Sequence, residues 1–288
     1  MYVITGATGA LNGATVDRLL ETVPADEVVV VARDVAKAEH LARRGLAVRH
    51  GDYAEPDTLR RAFDGADQLL LVSASDPGAD AVDLHRSAVE AAVAVGAGRV
   101  LYTSHQGAAA DSPFRPARDH AATERLLAES GLPWTALRNG FYAHTLAWLM
   151  GAWRATGSFT VPVDGPVSWT ARADAADAAA AVLLSDGAFD GQVTLTAGAA
   201  PTFAEAAAIA SDLTGRPVES VVVGEERWLA GQVAAGTPEF MARFTLGIYQ
   251  AAAEGRFAGT DPLLSELLGR RPRTVRDLLA EPAEGPAS

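Results

Sequence analysis

The sequence predicts an α/β protein: a doubly wound parallel sheet with a smaller C-terminal α/β lobe. Three observations carry this. Short β-rich runs alternate with amphipathic helical stretches through the first half, the pattern of strand–crossover–strand units. Some of those runs are almost wholly apolar, such as Val28-Val29-Val30-Val31 and Leu69-Leu70-Leu71-Val72, which suits a sheet covered on both faces. A glycine-rich turn, from Gly6 to Gly13, follows the first strand and opens the first helix.

In chain order, strands are expected at 2–5, 27–32, 47–50, 68–72 and 99–103, with helices at 13–21, 35–44, 57–63 and 82–95. A helix over 119–130 stops at Gly131 and leads into a strand over 133–138. Beyond it, 143–156 reads as helix, 193–196 as one more strand and 203–213 as helix. That last helix is opened by Thr202, with Glu205 at the capping-box spacing. The alanine-rich run 173–181 reads as a tightly packed helix. The expected division is a nucleotide-fold domain over 1–145, with sheet strands added from about 190–197, a substrate lobe over 146–280 and a frayed tail over 281–288.

Composition narrows the function. Of 288 residues, 49% are hydrophobic and 21% charged, enough apolar material for a large core. No cysteine is present, which excludes disulfides, thiolate metal sites and cysteine nucleophiles. The net charge of −12 argues against nucleic-acid binding, which needs a basic face. It does not forbid a phosphate-bearing ligand, since a local pocket can be positive. The start has no basic region followed by an apolar one, and the most apolar stretch is too short to span a bilayer. A cytoplasmic protein without membrane association is expected, and a homodimer is the oligomeric state considered. The six histidines show no metal-ligand spacing, and no Gly-x-Ser-x-Gly elbow occurs.

The turn Gly6-Ala7-Thr8-Gly9-Ala10-Leu11-Asn12-Gly13 has the form of a phosphate loop. Gly6 permits a tight turn. Gly9 lets the backbone approach a pyrophosphate, whose charge meets the amides of the helix N-terminus. Asn12 stands where a third glycine is usual, with Gly13 one place later, so a slightly displaced helix start is expected. The second strand ends Val31-Ala32-Arg33, where NAD-type folds carry an acid for the ribose 2′-hydroxyl. A guanidinium there can instead grip a 2′-phosphate, with Lys37 adding a second positive charge. The predicted cofactor is therefore NADP(H). Asp34 opposes this if its carboxylate points inward. Asp52 either accepts from the adenine amino group or caps the following helix.

These segments, with Tyr102-Thr103-Ser104, Thr123-Glu124 and Leu137-Arg138-Asn139-Gly140-Phe141-Tyr142, occur in the order seen in NmrA-like atypical short-chain dehydrogenase/reductases. The resemblance is greatest to the NADPH-dependent quinone oxidoreductases, with triphenylmethane-dye reductases nearby. It continues through 174–184, 191–198 and 267–272, so it covers nearly the whole chain. It implies a Rossmann-type domain binding NADP(H) through Gly6, Thr8, Gly9, Ala10, Leu11, Arg33, Lys37, Asp52, Ser73, Thr103 and Asn139. A substrate cleft would lie between that domain and the lobe.

Typical members of the superfamily reduce carbonyls with a Tyr-x-x-x-Lys pair. Aligned on Glu124 and Ser130-Gly131, the tyrosine position falls on Pro116 and the lysine position on His120. Hydride addition to a ketone gives an alkoxide whose conjugate acid is about as weak as water, pKa roughly 15.7, so a placed acid is needed. Addition to a quinone gives a phenolate with a conjugate acid near pKa ~10, which water can protonate. A chain without the pair thus favours quinones, dyes or similar electron-poor conjugated acceptors. The candidate catalytic residues are Ser104, placed where the superfamily has a substrate-facing serine, His120 as a relay or ribose contact, and Tyr142 at the cleft. Phe141, Tyr142 and Trp148 are alternatively stacking or core residues. The competing reading is an NADP(H)-binding redox sensor of the NmrA type, in which a missing catalytic pair is equally natural.

Overall fold

The structure is a computed structural model and describes residues 1–74, 76 and 78–280. The tail expected over 281–288 lies outside the described residues. The first half runs β1 (Tyr2–Thr5), α1 (Ala10–Leu19), β2 (Val28–Ala32), α2 (Glu39–Ala42), β3 (Ala47–His50) and α3 (Pro56–Phe63). It continues with β4 (Gln68–Leu71), α4 (Ala81–Ala94), β5 (Arg99–His105), α5 (Arg115–Glu129) and β6 (Trp134–Asn139). Then come β7 (Phe141–Tyr142), α6 (Ala143–Leu149), α7 (Trp153–Thr156), β8 (Ser158–Val161), β9 (Trp169–Thr170), α8 (Arg172–Leu183) and β10 (Gly191–Leu195). The chain closes with α9 (Phe203–Thr214), β11 (Glu219–Val222), α10 (Glu225–Ala234), α11 (Glu239–Ala253), α12 (Leu263–Leu268) and α13 (Val275–Ala280).

Seven strands form one parallel sheet in the order β10-β6-β5-β4-β1-β2-β3. The order reverses between β1 and β4, the switch point where open α/β sheets bind ligands. The apolar strands behave as their composition demands. Val28 and Val30 enter one core, with Val16 and Leu19 of α1, while Val29 and Val31 enter the other, with Leu59 and Phe63 of α3. Successive side chains point to opposite faces, so only a strand apolar throughout can serve both.

Helix boundaries moved where local chemistry outweighed periodicity. α1 begins at Ala10, three residues before the expected start, because Gly9 is its N-cap. A Cβ on Gly13 would meet the Ala7 carbonyl at 2.9 Å, so Gly13 takes the close-packing role. Asn12 turns inward instead, and its Nδ2 donates to the Thr5 carbonyl at 2.7 Å. α5 likewise starts four residues early, since Pro116 is tolerated in a first turn. The helix expected over 143–156 divides into α6 and α7 around Gly151, whose φ is +55°. The expected helix over 35–44 is a 3-10 turn, Val35–Ala38, followed by the single turn of α2.

The lobe is less contiguous than a boundary at 145 suggests. α8 and α12, both inside 146–280, pack on the nucleotide-fold core with α1, and the buried alanines of α8 permit the close approach. Asp174 fixes this arrangement: fully buried on α8, it accepts from the side chains of Arg270 and Arg273 and from the Arg273 amide. The lobe proper has its own aromatic core, including Trp153, Trp169, Phe203, Trp228, Tyr249 and Phe257. Phe114 from before α5 and Phe141 of β7 join it, so this core reaches His105 at the carboxyl end of β5.

Candidate nucleotide and acceptor site

The nucleotide end is made of backbone and charge. A cavity of about 240 Å³ opens at the carboxyl ends of β1, β2, β3 and β4. Gly6, Thr8, Arg33, Lys37, Asp52, Ser73 and Asp76 are among its lining residues. Gly6 has φ +65°, and a Cβ there would lie 2.7 Å from Val72 Cγ1, so only glycine makes this turn. Gly9 caps α1 with no side-chain hydrogen bond, and the first turn of α1 contains no acid. The first-turn amides, among them those of Ala10 and Leu11, are thus left without a side-chain cap, the condition under which a helix N-terminus can receive an anion. A Cβ on Gly9 would crowd the Gly6 carbonyl at 3.3 Å, a tight contact that a small local shift could relieve.

Arg33 stands exposed at the pocket rim, its Nη1 donating to Asp76 Oδ1 at 2.8 Å. Asp34 accepts from the Ala36 amide at 3.0 Å, so its carboxylate is engaged in capping the 3-10 turn. Asp52 lines the pocket and accepts from the Ala54 amide at 2.9 Å, a local turn contact; it does not cap α3, whose N-cap is Glu55. The Ser73 amide donates to Thr103 Oγ1 at 2.8 Å, tying the rim to β5. These features fit a phosphorylated dinucleotide: uncapped amides for the pyrophosphate and two cationic side chains at the end of β2.

The acceptor end is made of rings. His105 closes β5, with Phe141 and Phe257 edge-on to it at centroid distances of 5.2 and 5.1 Å. Phe114 lies 6.2 Å away, and Phe244 of α11, 41% exposed, packs on Phe114 at 5.4 Å. His120 stacks on His105 at 6.1 Å and shares a 2.8 Å hydrogen bond, through Nδ1, with the Tyr102 hydroxyl. Burial lowers the pKa of both imidazoles, that of His105 to about 4 and that of His120 well below its usual range. Both are neutral near pH 7. Tyr142 receives a hydrogen bond from Asn139 Nδ2 at 3.2 Å, and burial pushes its pKa up to about 12.

Ser104 departs from expectation. It is 3% exposed, and its hydroxyl donates to Glu124 Oε1 at 2.5 Å. Glu124 is also gripped by Arg138 through Nε (2.9 Å) and Nη2 (2.5 Å), and by Gln192 at 2.8 Å. On β5, Tyr102 and Ser104 point to the α5 side, so this serine helps anchor α5 rather than facing a substrate. Trp148 is 58% exposed and lines a separate cavity with Met241 and Thr245, apart from Phe141. Three residues of this ring cluster, Phe114, Phe244 and Phe257, were not singled out from the sequence, and Tyr102 was noted only within the Tyr102-Thr103-Ser104 segment. Alternation along β5 could have flagged Tyr102. Phe257 arrives from far along the chain and carried no local signal.

This geometry agrees with the comparisons. The family model described as NAD(P)H-binding matches residues 6–186. The chain belongs to the NAD(P)H-binding family. It is 35% identical to quinone oxidoreductase 2 of Escherichia coli (strain K12), over 96% of each chain. It is 31% identical to an NmrA-like family domain-containing oxidoreductase of Aspergillus flavus, over 97% of this chain and 94% of the relative. Among solved structures, a Citrobacter triphenylmethane reductase complexed with NADP(H) superposes with a TM-score of 0.88 at 32% identity, covering 99% of this chain and 100% of that one. As a member of this NAD(P)H-binding family with such relatives over nearly its full length, the protein is an NAD(P)H-dependent oxidoreductase. Its helices include none, among the described residues, long and apolar enough to cross a membrane.

Proposed function

We propose that this protein is an NADPH-dependent reductase of flat, electron-poor conjugated acceptors, with quinones foremost. The observation that carries the reading is the run of rings from half-exposed Phe244 through Phe114 to His105 and His120, in which no cationic acid appears. Such walls bury and orient a planar acceptor through offset and edge contacts. The names of its relatives, a quinone oxidoreductase and a triphenylmethane reductase, support the same acceptor class.

When bound, NADPH supplies the hydride. The chain's own residues do the rest. Arg33 and Lys37 hold the 2′-phosphate, and the α1 amides with Gly9 seat the pyrophosphate. Thr103, Ser73 and Asn139 border the path towards the acceptor end. His120 is neutral and shares its Nδ1 with the Tyr102 hydroxyl; in the tautomer in which that hydroxyl donates, Nε2–H is the group free to donate to an acceptor oxygen. Water completes the protonation, because a hydroquinone anion needs no strong acid. Tyr142, also placed here by sequence, borders the cleft beside Asn139.

Anaerobic NADPH oxidation against a panel of quinones, a cationic dye and matched simple ketones tests this. Quinone reduction with ketones left unreduced is the expected result. Efficient ketone reduction would overturn the acid-free reading, and tight NADPH binding without turnover of any acceptor would establish the sensor in its place.

A further inference from the structure

His85 is assigned to nothing above, yet it is among the most constrained side chains in the molecule. It lies on α4, is 2% exposed, and uses both ring nitrogens. The amide of Ala74, in the stretch that lines the nucleotide pocket, donates to Nε2 at 2.7 Å. A backbone N–H can only donate, so Nε2 is the unprotonated nitrogen and Nδ1 carries the hydrogen. Nδ1 therefore donates to Thr123 Oγ1 on α5 at 2.7 Å, and the Thr123 hydroxyl donates onward to the Asp119 carbonyl at 2.8 Å. Asp119 is the neighbour of His120. The direction of every hydrogen in this chain is set by its first member.

The surroundings keep the imidazole in that form. Tyr102 and Tyr53 meet its ring edge-on, at 5.2 and 6.4 Å, and burial lowers its pKa to about 4. Asp80 at the N-cap of α4 works against that lowering; His120 of α5 and the hydroxyls of Tyr53 and Tyr102 are the further titratable groups around it. A protonated ring would have no lone pair for the Ala74 amide. A hydrocarbon of similar size would leave that amide without an acceptor and the Thr123 oxygen without its donor, though the Thr123 hydroxyl would still donate to the Asp119 carbonyl.

We infer that His85 is a positioning residue of the nucleotide site: as a neutral Nδ1–H imidazole it holds the Ser73–Ala74 rim at the depth the dinucleotide requires, and braces that rim against α5. The inference rests on the cavity at β1–β4 being the nucleotide site. It makes His85 a determinant of cofactor affinity without touching the cofactor, and it links the rim mechanically to the helix bearing His120.

Calorimetric titration of NADPH into the full-length protein tests it, on wild type, His85→Leu, His85→Gln and Thr123→Val, with thermal midpoints measured alongside. His85→Leu should weaken NADPH binding about tenfold, the scale of one lost buried hydrogen bond. His85→Gln puts an acceptor and a donor on one amide and should recover affinity to within about threefold of wild type. Thr123→Val, which strips Nδ1–H of its acceptor, should fall between them. Unchanged affinity in His85→Leu would overturn the inference, as would a Gln variant no better than Leu, which would make the ring a filler of space. Should the Leu variant not fold, wild-type affinity in both Gln and Val variants would overturn it equally. Wild-type protein that fails to bind NADPH would instead refute the site on which the inference rests.

Discussion

The two ends of the proposed cofactor path are built from opposite materials. At the nucleotide end the work is done by main chain and formal charge: the Gly6 turn, the uncapped amides of α1, Arg33 and Lys37. The proposed acceptor end is built instead from uncharged rings. Neutral imidazoles and phenyl rings meet there, contributed by β5, α5, β7, α11 and the segment holding Phe257. The difference follows from what each end handles. A pyrophosphate and a 2′-phosphate are fixed anions that reward preset dipoles and cations. A planar acceptor changes charge during the reaction, so a wall of rings can bind it without committing a proton in advance. Beneath the acceptor end the charge is hidden, in the Glu124–Arg138 pair that anchors α5 to β6.

That hidden pair gives the largest expected effect. Arg138→Met leaves the Glu124 carboxylate buried without its counter-ion, and should destabilise the fold by about 3 kcal/mol, read as a lowered midpoint in chemical denaturation. A change under about 0.5 kcal/mol would show that Ser104 and Gln192 suffice to hold the carboxylate, and that α5 is not anchored by charge.

Next in size is Gly9→Val. Because a Cβ at Gly9 crowds only the Gly6 carbonyl, at 3.3 Å, the fold should hold with a small local shift, while NADPH affinity should drop by more than about 100-fold. Normal binding by the valine variant would break the assignment of the nucleotide end to the α1 amides. Arg33→Ala sharpens the same end. NADPH binding should weaken by about 1.5–3 kcal/mol, towards the lower figure because Arg33 must first leave Asp76, while NADH binding stays nearly constant. Equal losses for both nucleotides would remove the 2′-phosphate from Arg33.

The smallest effect is expected at the acceptor end, and it distinguishes a ring wall from an acid. His120→Ala should slow quinone reduction less than about tenfold, well short of the roughly 10²–10⁴-fold typical of losing a general acid. The pH dependence should agree. His85 and His105 have folded pKa values lowered to about 4 by burial, against an unfolded value of about 6.5. Their neutral forms therefore contribute stability that is complete above about pH 6.5 and is lost progressively as pH falls through about 4. Rates between about pH 6.5 and 8 should show no histidine titration; a sigmoidal step in that window, absent in His120→Ala, would mean a protonated imidazole takes part.

The glycine turn and the pocket at the ends of β1–β4 were legible in the sequence because their determinants are local. A strand, a turn with glycine at Gly6 and Gly9, a helix start and an arginine closing the next strand all follow from spacing within a few tens of residues. Thr202 and Glu205 form the capping box for the same reason. Where a local rule had an exception, as at Asn12, the sequence registered the oddity but not its outcome. Whether Gly13 could stand in for the missing glycine depended on the Ala7 carbonyl 2.9 Å from where its Cβ would sit.

Tertiary structure alone decided the acceptor end. Ser104 had the right residue type at the right place on β5, but the direction of its side chain and the arrival of Glu124, Arg138 and Gln192 turned it into an anchor. Phe257 reaches His105 from far along the chain, and the bonds of His85 join α4 to a rim residue on one side and to α5 on the other. Neutrality of the three buried histidines is likewise a property of the assembled protein. Desolvation lowers their pKa only once strands, helices and lobe have closed around them, and no spacing in the sequence encodes that closure.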